Sequence, residues 1–118
     1  MVKKMQMTFY CDLYVSEDLG KKKEKVMQKL RENKAQPSVY VITLAQGRQN
    51  HLEFYSSLLL KQHIYEDTPL FVVGIADGYD DAMYLVEQIV REIYDRTDDT
   101  DVRGYIEKRQ IEYEEGRV

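Results

Sequence analysis

The 118-residue chain has no tryptophan, one cysteine, two prolines and two histidines. A single cysteine cannot form an intramolecular disulfide, a CxxC redox pair or a multi-cysteine zinc site, and it indicates a reducing compartment. This residue, Cys11, shares the apolar face of the first predicted strand with Phe9 and Leu13, which favours a buried structural thiol over a nucleophile. The two histidines, His51 and His63, lie near opposite ends of one predicted helix. They therefore cannot bind one metal ion together, as two histidines separated by one helical turn can.

The sequence also lacks a long apolar run, since no stretch approaches the roughly 20 apolar residues of a membrane-spanning helix. Near the N-terminus, polar residues interrupt the apolar ones at every second position from Gln6 to Asp12. A signal peptide needs an unbroken apolar segment instead. We therefore expect no contact with a membrane and a cytoplasmic location.

Basic residues are outnumbered, because 17 Lys and Arg against 21 Asp and Glu give a formal net charge of -4. No general positive field is available to attract phosphate groups, which disfavours nucleic-acid binding. The one dense basic run, residues 21–25, shares its helical segment with acidic residues. It is typical of a solvated helix face, and a contact with phosphate or a partner is the alternative.

Composition and periodicity predict one α/β domain over residues 1–118, because 43% of the residues are hydrophobic and 32% are charged. Alternating or nearly continuous apolar residues predict three strands, over residues 5–15, 39–45 and 70–76. Helical periodicity predicts three helices, over residues 17–33, 51–63 and 81–95. The C-terminal segment, residues 101–115, favours a further helix, and a short edge strand is the alternative.

The order β-α-β-α-β-α predicts a small, mostly parallel sheet of three or four strands in a three-layer α-β-α arrangement. Such a sheet has exposed edges, and parallel sheets are rarely left uncovered. We therefore expect a homo-oligomer, or cover from the C-terminal segment.

Two groups of side chains are candidates for an interface with a second subunit or a partner protein. Phe54 and Leu60 widen the apolar stripe of the helix predicted over residues 51–63, which indicates deep burial or cover by another subunit. Tyr10 and Tyr14 share the polar face of the first strand, and tyrosines are enriched at interfaces. Half-buried packing of these two rings under a helix is the alternative.

A parallel sheet would bring three loops together at its carboxyl edge, where ligands bind in open α/β sheets. The candidate ligand-binding residues there are Arg48, Asn50, His51, Asp77 and Asp80. Of these, Asp77 and Asp80 are the candidate ligands for Mg²⁺, the candidate cofactor, because carboxylates commonly bind this ion. Helix capping by Asp80 and a turn at Asp77 with Gly78 are the structural alternatives.

No set of residues in the chain forms a recognisable catalytic group, and the sequence assigns no catalytic residue. We therefore expect a protein that acts non-enzymatically, through self-association and through binding a partner or a small ligand. The alternative is a magnesium-assisted enzyme or binding domain for a phosphorylated ligand at the carboxyl edge of the sheet.

Overall fold

A computed structural model describes residues 7–45, 51–62 and 70–116, with the backbone alone for residues 60–62. This part of the chain forms a compact α/β domain with one four-stranded sheet and three α-helices. The strands are β1 (Met7–Val15), β2 (Val39–Leu44), β3 (Leu52–Ser56) and β4 (Leu70–Asp77). The helices are α1 (Lys23–Arg31), α2 (Tyr79–Thr97) and α3 (Val102–Glu114), and Glu17–Lys22 and Ser57–Gln62 are 3-10 helices.

The sheet has the strand order β1-β4-β2-β3 and is mixed. β4 pairs parallel with β1 and antiparallel with β2, and β2 pairs antiparallel with β3. Val39 lies beside Asp77, so β2 begins at the edge where β1 and β4 end. The α/β class is confirmed, whereas the prediction of a mostly parallel sheet is wrong. The three-layer order stays a prediction.

The main error concerns the segment predicted as a helix over residues 51–63. It forms strand β3 and a 3-10 helix instead. Apolar residues in so short a run fit a helix and a strand equally well, and the aromatic pair Phe54 and Tyr55 favours a strand. Pairing with the adjacent strand β2 satisfies the backbone, and the N–H of Ala45 donates to the carbonyl oxygen of His51 at 3.1 Å. β2 therefore runs against β3 on one side, as it runs against β4 on the other.

A second departure from the predicted pattern lies within β1. Phe9 pairs with Val72 and Tyr14 pairs with Gly74, so β1 advances five residues while β4 advances two. Because of these extra residues, the side chains of β1 do not alternate strictly between the two faces of the sheet as the sequence pattern predicts. Residues on both sides of the predicted strand, Tyr10 and Cys11, consequently pack against the same core cluster.

Two clusters of buried apolar residues hold the domain together. The first contains Leu19, Val26 and Leu30, which belong to the segment from the first 3-10 helix to α1, together with residues of β2 and β4. The second contains the buried stripe of α2 and the start of α3, packed on β1, β2 and β4. Its helical members are Ala82, Leu85, Ile89, Ile93, Val102 and Ile106.

Candidate functional site

The carboxyl edge shared by β1 and β4 carries two of the predicted site residues. Asp77 ends β4, is half-buried, and its N–H donates to the Oγ of Ser16 at 3.1 Å. Gly78, with φ of 100°, is the N-cap of α2, a conformation that favours glycine. Asp80 therefore lies inside the first turn as an exposed side chain, and the predicted capping role of Asp80 is wrong.

The predicted convergence of three loops at this edge is also wrong, because β2 is antiparallel to β4. The carboxyl end of β2 lies at the opposite edge, and His51 follows it there, paired with Ala45. His51 is exposed and separate from Asp77. Arg48 and Asn50 lie outside the described residues.

Among the residues that the structure describes, no three His, Cys, Asp or Glu side chains form a group that could hold a metal ion. A groove of about 560 Å³ does lie at the carboxyl edge, between the first 3-10 helix and α2. Its acidic lining residues are Glu17, Asp18 and Asp81, whereas Asp77 and Asp80 do not line it. Magnesium binding by Asp77 and Asp80 stays a prediction.

A larger groove, of about 710 Å³, lies between α3 and the opposite edge of the sheet. Within it, the guanidinium of Arg103 donates to the carbonyl oxygen of Ala45 and lies 3.5 Å from the carboxylate of Glu107. Its rim at Thr8, Ala45 and Leu70 adjoins segments outside the described residues.

The thiol of Cys11 is half-buried beside α3. The backbone N–H of Cys11 donates to the Oε1 of Gln110 at 2.8 Å. Burial raises the pKa of the thiol, and the nearby carboxylate of Asp12 raises it further. Because the reactive form of cysteine is the thiolate, this environment suppresses nucleophilic chemistry at Cys11.

The predicted interface residues Tyr10 and Tyr14 belong to the packing beneath the helices. Tyr10 is only 3% exposed, and its ring centroid lies 6.3 Å from that of Tyr14 and 6.0 Å from that of Phe71. Burial raises the pKa of both phenols, that of Tyr14 to about 12, and the carboxylate of Glu92 adds to the shift at Tyr14. Tyr10 is therefore not available to a second chain.

An open apolar surface runs along one side of α2, next to the buried residues of that helix. Five apolar side chains follow one another there at intervals of three or four residues, at Tyr79, Met83, Val86, Val90 and Tyr94. The exposed fractions are 55% for Tyr79, 43% for Met83, 37% for Val90 and 47% for Tyr94. Residues at this spacing lie on one face of a helix.

This row continues onto the sheet. The ring centroid of Tyr79 lies 5.4 Å from that of Phe54 on β3 and 6.1 Å from that of Tyr40 on β2. β3 is one of the two edge strands of the described sheet. We call this surface the α2 face, and its members are Tyr40, Phe54, Tyr79, Met83, Val86, Val90 and Tyr94. Of the predicted interface residues it includes Phe54, whereas the side chain of Leu60 lies outside the described part of the structure.

The opposite flank of α2 is covered by α3. Arg96 forms an ion pair with Glu92 at 3.1 Å and donates to the hydroxyl of Tyr105 on α3 at 3.0 Å. The sequence predicted a helix over residues 81–95, but its open apolar side was missed. A signal was present, because at about 100° per residue the apolar side chains from Leu85 to Tyr94 span roughly half of the helix circumference.

Comparison of the chain with models of known protein families, with curated proteins and with solved structures found no match. No helix among the described residues combines the length and the apolar character needed to cross a membrane.

Proposed function

We propose that this protein acts non-enzymatically, by self-association through the α2 face. The observation that carries the proposal is the row of apolar side chains on α2 and its extension onto β2 and β3. Its members on α2 are exposed except for Val86, which is half-buried. Monomeric proteins usually scatter exposed apolar side chains, and a contiguous patch marks an interaction surface.

The composition and rigidity of the α2 face support a protein partner. Each square ångström of apolar surface removed from water contributes about 25 cal/mol to association. Tyr79 and Tyr94 are of a residue type that is enriched at protein interfaces. The ring of Tyr79 is already held against Phe54 and Tyr40, so it has less conformational entropy to lose on binding.

Two predicted properties accompany this proposal. The single cysteine fits a cytoplasmic setting, where thiols stay reduced.

The three-layer order of the fold has support from two successive residues of β4. Val72 belongs to the core cluster that contains residues of α1, and Val73 belongs to the cluster that contains residues of α2. Successive residues of a strand point to opposite faces of a sheet.

Light scattering coupled to size-exclusion chromatography tests the proposal. The wild-type protein is expected to elute with twice the 14.0 kDa mass of one chain as its concentration rises. Met83→Lys and Val90→Lys each place a charge on the α2 face, and both are expected to shift the protein to the monomer. Neither residue belongs to a core cluster, so circular dichroism should remain unchanged.

The matched control is Ile111→Lys, because Ile111 is a comparably exposed apolar residue on α3, away from the α2 face. This variant is expected to associate as the wild type does. A wild-type protein that remains monomeric at millimolar concentration would overturn the proposal. Equal behaviour of the three variants would also overturn it.

A further inference from the structure

Two charged residues border the α2 face and make no ion pair within the part of the chain that the structure describes. Glu87 and Arg91 stand one helical turn apart, and both are exposed. On the covered flank of the same helix, Glu92 and Arg96 do pair with each other. Midway along α2, the border of the α2 face therefore carries one negative and one positive charge that are available to a partner, and Asp80 adds an exposed negative charge at the N-terminal end of the same flank.

The positions of these charges make the α2 face complementary to itself. We infer that the occupant of the α2 face is a second copy of this chain, with its α2 antiparallel and with reciprocal ion pairs between Glu87 of each copy and Arg91 of the other. This inference rests on the proposed function and names the arrangement at the same surface. A two-fold axis is the symmetry of the commonest homo-oligomers.

The apolar residues of the α2 face fit the same two-fold axis. An antiparallel pair centred between Gln88 and Ile89 places Met83 of one copy opposite Tyr94 of the other, and it brings Val86 within one residue of the position opposite Val90. The same centre brings Glu87 within one residue of the position opposite Arg91, an offset of about 1.5 Å along the axis, so one register accommodates both the charges and the apolar side chains. Helices packed through such a row lie about 8 to 10 Å apart.

A parallel arrangement fails on charge. It would place Glu87 beside Glu87 of the partner copy and Arg91 beside Arg91 of the partner copy. Like charges at the border of a helix pair repel, which is how such residues set orientation in coiled coils. The antiparallel arrangement converts both repulsions into attractions.

The size of the surface makes these charges important for specificity. α2 has 19 residues and is therefore about 28 Å long. A stable interface buries about 800 Å² on each partner, and one helix face of this length supplies only part of that area, with Phe54 and the edge of β3 adding to it. We therefore expect reversible dimers whose affinity responds to substitutions at Glu87 and Arg91.

Charge reversal tests the arrangement, measured by sedimentation equilibrium at low salt. Glu87→Arg alone and Arg91→Glu alone are each expected to weaken self-association at least about tenfold, because two attractive pairs become repulsive. The double variant Glu87→Arg with Arg91→Glu restores opposite charges and is expected to recover wild-type association. An equimolar mixture of the two single variants is expected to form heterodimers. Lys108→Glu, an exposed charge reversal on α3, is the control and should change nothing.

The outcomes separate this inference from the proposed function. Single variants that associate as tightly as the wild type, while Val90→Lys abolishes association, would overturn the antiparallel arrangement and leave the α2 face as the self-association surface. Failure of both the double variant and the mixture to recover association would also overturn the arrangement. A monomeric wild-type protein would overturn the proposed function and the arrangement together.

Discussion

At the scale of single residues, the phenols of Tyr10 and Tyr14 make stability depend on pH in a defined direction. The ordinary pKa of a tyrosine is 10.0, and burial raises that of Tyr14 to about 12 and that of Tyr10 further. Between about pH 10 and about pH 12 the unfolded chain has lost phenol protons that the folded chain retains. The free energy of unfolding should therefore fall as pH rises through this window, and these two groups contribute no change below it.

Urea denaturation at pH values from about 9 to about 11 measures this slope. Tyr14→Phe removes one of the responsible groups and is expected to flatten it. Tyr113→Phe changes an exposed ring on α3 and serves as the control. Identical slopes for the two variants would show that the buried environment of Tyr14 does not control the alkaline response.

The same residues show where sequence reasoning reaches its limit at this scale. Alternation predicted a strand over residues 5–15 and placed Tyr10 and Cys11 on opposite faces of it. The extra residues of β1 bring both to one core cluster. A bulge arises from pairing with β4 and packing under α3, and neither is encoded in the local alternation of apolar and polar residues.

At the scale of elements, α3 is fixed to the irregular part of β1 by polar contacts. The Oε1 of Gln110 accepts the N–H of Cys11 at 2.8 Å, and the guanidinium of Arg109 lies 2.7 Å from the carboxylate of Asp12. Gln110→Leu leaves the N–H of Cys11 without this acceptor. We expect the free energy of unfolding to fall by about 1 to 3 kcal/mol, measured by chemical denaturation.

Lys108→Leu is the matched control for this prediction, because it introduces the same side chain at an exposed position on α3. It should change the free energy of unfolding by less than about 0.5 kcal/mol. An equal loss in both variants would mean that the contact between Gln110 and Cys11 does not hold α3 on the sheet.

Helices and strands differ in how far local patterns predict them. The segment predicted as a helix over residues 81–95 lies within α2, because a long apolar stripe has one consistent period. Residues 51–63 were ambiguous, since Leu52, Phe54 and Tyr55 fit both periods over a short length. Pairing with β2 decided the outcome there, and this is a tertiary effect that outweighs local helix propensity.

At the scale of the whole molecule, one reversed strand removes the predicted convergence. The candidate residues were brought together by assuming that all strands run the same way. With β2 antiparallel to β4, His51 lies at the edge opposite Asp77. Strand direction depends on how segments distant in sequence pair, so errors at this scale follow from a single wrong element.

The α2 face, in contrast, follows from the placement of α3. The sequence predicted self-association from two features: the face of the first strand that carries Tyr10 and Tyr14, and an apolar segment that proved to be β3 and a 3-10 helix. The surface proposed here exists because α3 covers the flank of α2 that carries Arg96 and leaves the flank that carries Met83 and Val90 open. Which flank of a helix is covered is a property of the assembled domain.

The most direct test of the central claim is an isotope-filtered NOE measurement on a mixture of labelled and unlabelled chains. Within one chain, Met83 and Tyr94 lie eleven residues apart on α2, about 16 Å along its axis, which is too far for an NOE. The two-fold antiparallel arrangement predicts intermolecular NOEs between the methyl group of Met83 and the ring of Tyr94. Absence of intermolecular NOEs from the α2 face in a sample that light scattering shows to be dimeric would contradict the account.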